Sequence, residues 1–229
     1  MRRVVFELCV DTIDGCRVAR DGGAARIELC SGLSEGGVTP SHGLIARAVD
    51  YAELPVHVLI RPRGGDFFYS DAELEMMAED IRHAKALGVS GVVVGVLNKE
   101  HGVDMAHLHA LVALAKPACV TFHRAFDKAA SLPAALEDII EAGCDRVLTS
   151  GGCENVVDGA ETLQALVVQA GSRIDIAVGG GLRVANAVEV ARRTGAEHFH
   201  GSLRGECGGA VSRVESEIVE RMIRQLGAA

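Results

Sequence analysis

Tryptophan is absent, and aromatic residues make up only 3% of the 229 positions. The core must therefore come from Val, Leu, Ile and Ala, a composition suited to helices packed closely on strands. No long run of Lys or Arg occurs and the formal net charge is −8, so the positive footprint of a nucleic-acid binder is missing, although a local basic pocket stays open. No apolar stretch approaches the ~18 residues of a membrane span. The chain enters Val4-Val5-Phe6 directly, without the apolar centre of a signal peptide. A cytoplasmic protein with no membrane and no nucleic-acid partner is expected. The seven cysteines, at 9, 16, 30, 119, 144, 153 and 207, form no C-x-x-C pair. Scattered and odd in number, they read as reduced thiols rather than a disulfide framework. No Walker motif, dinucleotide fingerprint, H-E-x-x-H or G-x-S-x-G is present, so no nucleotide cofactor is indicated. No Pro/Ser-rich linker divides the chain, which predicts one domain over residues 1–229.

What is present is rhythm. Apolar, β-branched runs begin near Val4, Ala25, Val56, Val92, Cys119, Arg146, Ile174 and His198. Their spacing of about 28 residues is that of one βα unit. Between them lie stretches of helical period: 71–87, with Asp71 as N-cap and Gly88 as stop; 104–115; 132–142, stopped by Gly143; and 185–193, stopped by Gly195. Strand then helix, repeated eight times with right-handed crossovers, predicts a closed (βα)₈ TIM-like barrel, with an open doubly wound sheet as the alternative. The glycine-rich stretch 201–209 reads as a mobile loop before the last helix.

Alternation along each strand sorts side chains by face. If the apolar ones meet the helices, the interior collects Glu7, Glu28, Arg61, His123 and His200, with Cys9 and Cys30 above the glutamates. Buried charges need partners, so Arg61 is expected between Glu7 and Glu28. Two readings stay open: a polar network fixing strand register, or a site at the C-terminal ends of the strands, where barrel enzymes place their chemistry. On the second, Glu7, Glu28, His123 and His200 supply acid–base groups, with Asp127 or a glutamate orienting His123. Arg61, Arg63, Asp66, Arg124 and Asp127 flank a small anionic ligand, and Gly180, Gly181, Gly201 and Ser202, after strands seven and eight, cradle a phosphate. Isomerisation, aldol-type cleavage and hydrolysis are all open. No lysine ends a predicted strand, which disfavours a Schiff base. The repeated Glu-Leu-Cys at 7–9 and 28–30 brings two thiols together, soft ligands suited to Cu(I) or Zn; two small buried cysteines are the plainer alternative. A non-catalytic scaffold is a third reading.

The same residues carry a resemblance. Glu7-Leu8-Cys9-Val10-Asp11, Arg26-Ile27-Glu28-Leu29-Cys30-Ser31, Gly36-Gly37-Val38-Thr39-Pro40-Ser41, Ile60-Arg61-Pro62-Arg63-Gly64-Gly65-Asp66-Phe67, Thr121-Phe122-His123-Arg124-Ala125-Phe126-Asp127 and Val147-Leu148-Thr149-Ser150-Gly151 resemble the CutC family, known as copper homeostasis proteins. The resemblance implies a TIM-like barrel, a cytoplasmic location, a homo-oligomer and a role in copper handling, with Cu(I) on Cys9 and Cys30. The chain departs from the pattern at Gly201, where some relatives carry a further cysteine.

Overall fold

The computed structural model describes residues 4–204 and 214–229. Eight strands alternate with eight helices: β1 Val5–Val10, α1 Ile13–Asp21, β2 Arg26–Leu29, α2 His42–Ala52, β3 Val56–Leu59, α3 Asp71–Ala86, β4 Gly91–Val94, α4 Met105–Ala115, β5 Cys119–Phe122, α5 Leu132–Glu141, β6 Arg146–Thr149, α6 Ala160–Ala170, β7 Asp175–Gly179, α7 Ala187–Thr194, β8 His198–Gly201 and α8 Ser216–Gly227. Short 3₁₀ turns at Leu33–Glu35 and Arg124–Lys128 follow β2 and β5. All strand pairs are parallel and consecutive, and β8 closes on β1 with Phe6 opposite Phe199 and Glu7 opposite His200. This is a closed (βα)₈ barrel, and every predicted strand start lies within one residue of the observed one. The part of the expected 201–209 loop from residue 205 onward lies outside the described residues.

Helix ends follow local chemistry. α3 starts one residue earlier than expected from Asp71: its cap is Ser70, whose hydroxyl accepts from Glu73 N while the Glu73 carboxylate accepts from Ser70 N. A hydroxyl that reaches the third helical N–H outcompetes the next residue for that role. α4 is capped by Asp104 as expected, and α7 stops at Gly195, whose φ of 72° favours glycine. α7 begins at Ala187 rather than 185, because the Asn186 side chain first closes a turn on Arg183 N.

The main core lies between strands and helices. Phe6, Leu8, Ile27, Leu29, Val58, Ile60, Val120, Phe122 and Phe199 point there and are buried. Each contributes ~1.5–3 kcal/mol of burial. A second, smaller apolar cluster lies within the barrel: Cys9, Cys30, Leu59 and Val93. No helix among the described residues is long and apolar enough to cross a membrane.

Candidate functional site at the barrel mouth

The inward face is polar. Glu7, on β1, is 1% exposed and is held from three sides. Arg146, on β6, donates to both its oxygens at 2.8 and 3.3 Å, Arg26, on β2, reaches it at 2.6 Å, and His200 Nδ1, on β8, lies 2.8 Å away. Burial alone would raise the Glu7 carboxyl, but Arg146, His200 and Arg26 outweigh it and hold the group well below the usual carboxylate range. The same contacts act on His200. Burial works against its charge, yet Glu28 and Glu7 together pull it above the usual imidazole value.

Arg61 therefore does not play the part expected of it. Its guanidinium turns away from the glutamates. It donates to the carbonyls of Glu35, Gly37 and Gly65 and lies over the Phe67 ring. Arg61 follows the end of β3, one layer above Glu7, so it clasps two loops while Arg146 and Arg26, lower in the barrel, neutralise the carboxylate. Asp127 likewise does not orient His123. It accepts from Arg124 Nε, the Thr149 hydroxyl and the backbone N–H groups of Ser150 and Gly152, because the 3₁₀ turn after β5 swings it toward the loop after β6.

Cys9 and Cys30 do meet, with Sγ···Sγ 3.7 Å, and Cys9 Sγ is also 3.7 Å from Glu28 Oε1. Donor atoms of Cys9, Glu28 and His200 all lie within 4.8 Å of one another. The bond to Cys30, burial and the nearby Glu28 charge push the Cys9 thiol up. Burial, reinforced by Glu7, raises Glu28 against the opposing pull of His200 and Arg146. Its Oε2 has no partner among the described residues.

His123 stands at the end of β5. Its Nδ1 accepts from Ala125 N at 3.1 Å, and its buried Nε2 has no partner among the described residues. Burial, aided by the Arg61 charge, lowers its pKa to about 3. Three interior histidines are each seated against a glycine. A Cβ on Gly95 would come 2.3 Å from His123, one on Gly91 2.7 Å from His57, and one on Gly179 3.0 Å from His200.

A cavity of about 260 Å³ opens among these groups. It brings together Cys9, Glu28, Cys30, Arg61, His123, Arg124, Gly180, Gly181, His200, Gly201 and Ser202 from the residues singled out in the sequence. Arg63 and Asp66 lie apart from it: Arg63 pairs with Asp66 and with Glu73 of α3. Glu7 and Asp127 stand behind its wall, the first holding His200, the second Arg124. Sequence alternation places His57 inside the barrel, as observed, but gives it no role; it missed Arg146, Arg26 and Phe67. The alternation rule applied to Arg146-Val147-Leu148-Thr149 would have found the first, since Val147 must face the helices.

Fold and site together define a TIM-type barrel with a ligand-sized polar cavity at the C-terminal ends of its strands. Within that class the chain belongs to the CutC family, whose family model matches residues 4–205. A CutC family protein of Chromobacterium violaceum is 44% identical over 90% of this chain and 84% of its own length. A solved structure of a candidate copper homeostasis protein CutC from Streptococcus agalactiae superposes with a TM-score of 0.83 at 32% identity, covering 87% of this chain and 98% of that one. An N-(5′-phosphoribosyl)anthranilate isomerase from Pyrococcus furiosus aligns over 99% of this chain and 100% of its own with a TM-score of 0.64, but at 13% identity that likeness shows the fold alone.

Proposed function

We propose that the barrel mouth binds Cu(I) through Cys9 and Cys30 and that the protein handles copper in the cytoplasm as a homo-oligomer. The observation that carries the reading is the thiol pair, 3.7 Å apart in the wall of the cavity. Thiolates are soft donors that suit Cu(I). The surroundings support it: Glu28 and His200 are near enough to join the ligand set, and Glu7 holds the far nitrogen of His200, as carboxylates hold metal-bound imidazoles. The copper homeostasis description of the Streptococcus agalactiae relative agrees with the reading. Competition titration with a chromophoric Cu(I) chelator under reducing conditions tests it. The expected result is one tightly bound ion, with affinity falling at least ~10-fold in Cys9→Ser and in Cys30→Ser, since second-sphere changes alone cost that much and these would be direct ligands. Unchanged affinity in both variants overturns the assignment.

A second reading is an isomerase, lyase or hydrolase acting on a small anionic or phosphorylated metabolite. It is favoured by the cavity, whose volume of about 260 Å³ exceeds the needs of an ion. It is also favoured by the buried polar atoms left unpaired on wall residues, Glu28 Oε2, Arg61 Nε and His123 Nε2. Buried polar atoms without partners are uncommon and invite a ligand.

A further inference from the structure

We infer that the cavity binds a small carbonyl compound bearing a phosphate or carboxylate, its carbonyl oxygen on the Nε2–H of His123 and its anionic group on Arg124 and the Gly180-Gly181 turn. The inference rests on the small-anion reading above and needs neither thiol.

His123 carries the first half. Its Nδ1 accepts a backbone N–H from Ala125, so that nitrogen bears no proton. A ring that accepts at Nδ1 is neutral and carries its hydrogen on Nε2. Nε2 is thus a donor, buried in the cavity wall with no acceptor among the described residues. The ring cannot turn this donor elsewhere. Phe67 lies 5.1 Å from it, centroid to centroid, and Gly95 leaves space for it and no more. Leaving such a donor unmatched is costly, and a ligand oxygen removes the cost. A neutral imidazole fixed as a donor polarises a carbonyl without giving up a proton, as triosephosphate isomerase illustrates among barrels. Glu28 Oε2, a further unmatched atom on a wall residue, suits a hydroxyl beside that carbonyl.

Arg124 carries the second half. Asp127 holds its Nε, and Ser150 Oγ with the Cys153 carbonyl holds its Nη2. The remaining nitrogen, Nη1, lies against Gly180, where a Cβ would come within 3.1 Å of it. Glycine at 180, with φ 113°, is what allows the guanidinium to lie there. The N–H of Gly181 meets no acceptor among the described residues. A fixed guanidinium and a free amide at the loop after β7 are the elements of an anion site. Arg124 is 42% exposed, so the charged end of the ligand stays near water while the carbonyl goes inward.

Thermal shift and calorimetry with dihydroxyacetone phosphate and hydroxypyruvate, against inorganic phosphate and dihydroxyacetone, test this. One or both three-carbon anions should bind more tightly than phosphate or the uncharged ketone, and which one binds identifies the anionic group. Arg124→Gln should weaken the bound anion by about tenfold, and His123→Leu by about fivefold, with phosphate binding untouched by the latter. Long-range ¹H–¹⁵N correlation on the unmodified protein should show His123 neutral and protonated at Nε2, with that proton shifting when the anion is added. Equal binding by His123→Leu, or a His123 signal that does not respond, overturns the pose and leaves the small-anion reading standing. Absence of binding by every probe overturns both.

Discussion

Glu7 gathers two arginines and a histidine around one buried carboxylate, and its stability follows from that company. Arg146→Met removes the bidentate partner and should cost ~3–5 kcal/mol in urea unfolding, because the carboxylate is left undercompensated. Adding Glu7→Gln should recover part of the loss, and a double variant no better than the single would contradict the pairing. Arg61→Leu should still cost on the order of 3 kcal/mol, but for a reason other than the one the sequence suggests. It orphans the carbonyls of Glu35, Gly37 and Gly65. Arg63→Leu should cost less, about 1 kcal/mol, because Arg63 is itself 38% exposed and its ion pairs with Asp66 and Glu73 are partly solvated. His123 supplies a pH test. Its folded pKa of about 3 lies below the unfolded value near 6.5, so the unfolded chain binds the extra proton. Its contribution is fully present above pH 6.5 and is lost progressively as pH falls from there toward the folded pKa of about 3. The stability of His123→Leu relative to wild type should therefore improve by about 2 kcal/mol between pH 7 and pH 5. Equal pH dependence in the two proteins would show that His123 is not held neutral. At this scale the sequence was half legible. Side-chain direction came from alternation. Partner choice did not, because both Arg61 and Arg146 read as inward and what separates them is strand position and height along the barrel, which alternation does not measure.

Among the strands, the histidine seats show what pattern reading omits. Gly91, Gly95 and Gly179 look like ordinary strand-end glycines, yet each vacates the space that an imidazole on another strand fills. Gly95→Ala should displace the His123 ring and destabilise the fold by ~1–3 kcal/mol, the usual cost of overpacking. Calorimetric unfolding would measure it, and a neutral substitution would mean that the ring has room to move. The same close fit explains why the glycines carry no recognisable motif. Their role depends on a residue two or more strands' length away in sequence, as in Gly179 and His200, or Gly91 and His57. The strands themselves were readable because burial on the helix side imposes a strict apolar alternation: Phe6 and Leu8, Ile27 and Leu29, Val120 and Phe122. Helix starts were less so, since Ser70 and Asp71 are both competent caps and only geometry decides between them.

For the whole molecule, the spacing of strands sufficed to predict closure, and the clustering of Cys9, Cys30, Glu28, His123 and His200 at one end followed from it. The anchoring of Arg124 through Asp127, Ser150 and Cys153 could not be read, because the loops after β5 and β6 must converge before it exists. Closure also sets an order of events. Glu7 reaches Arg146 across 139 residues of sequence and His200 across 193. A nascent chain emerging from the ribosome holds both thiols and Glu28 early, but the histidine and the chief counter-charge arrive only with the last quarters of the barrel. Contacts of such long range form late and slowly. Until then a carboxylate waits inside an unfinished sheet, and the first half of the protein carries both thiols without a finished pocket. Ligand binding in a refolding experiment would thus act as a clock for the joining of β8 to β1, reporting the moment at which the two ends of the barrel find each other.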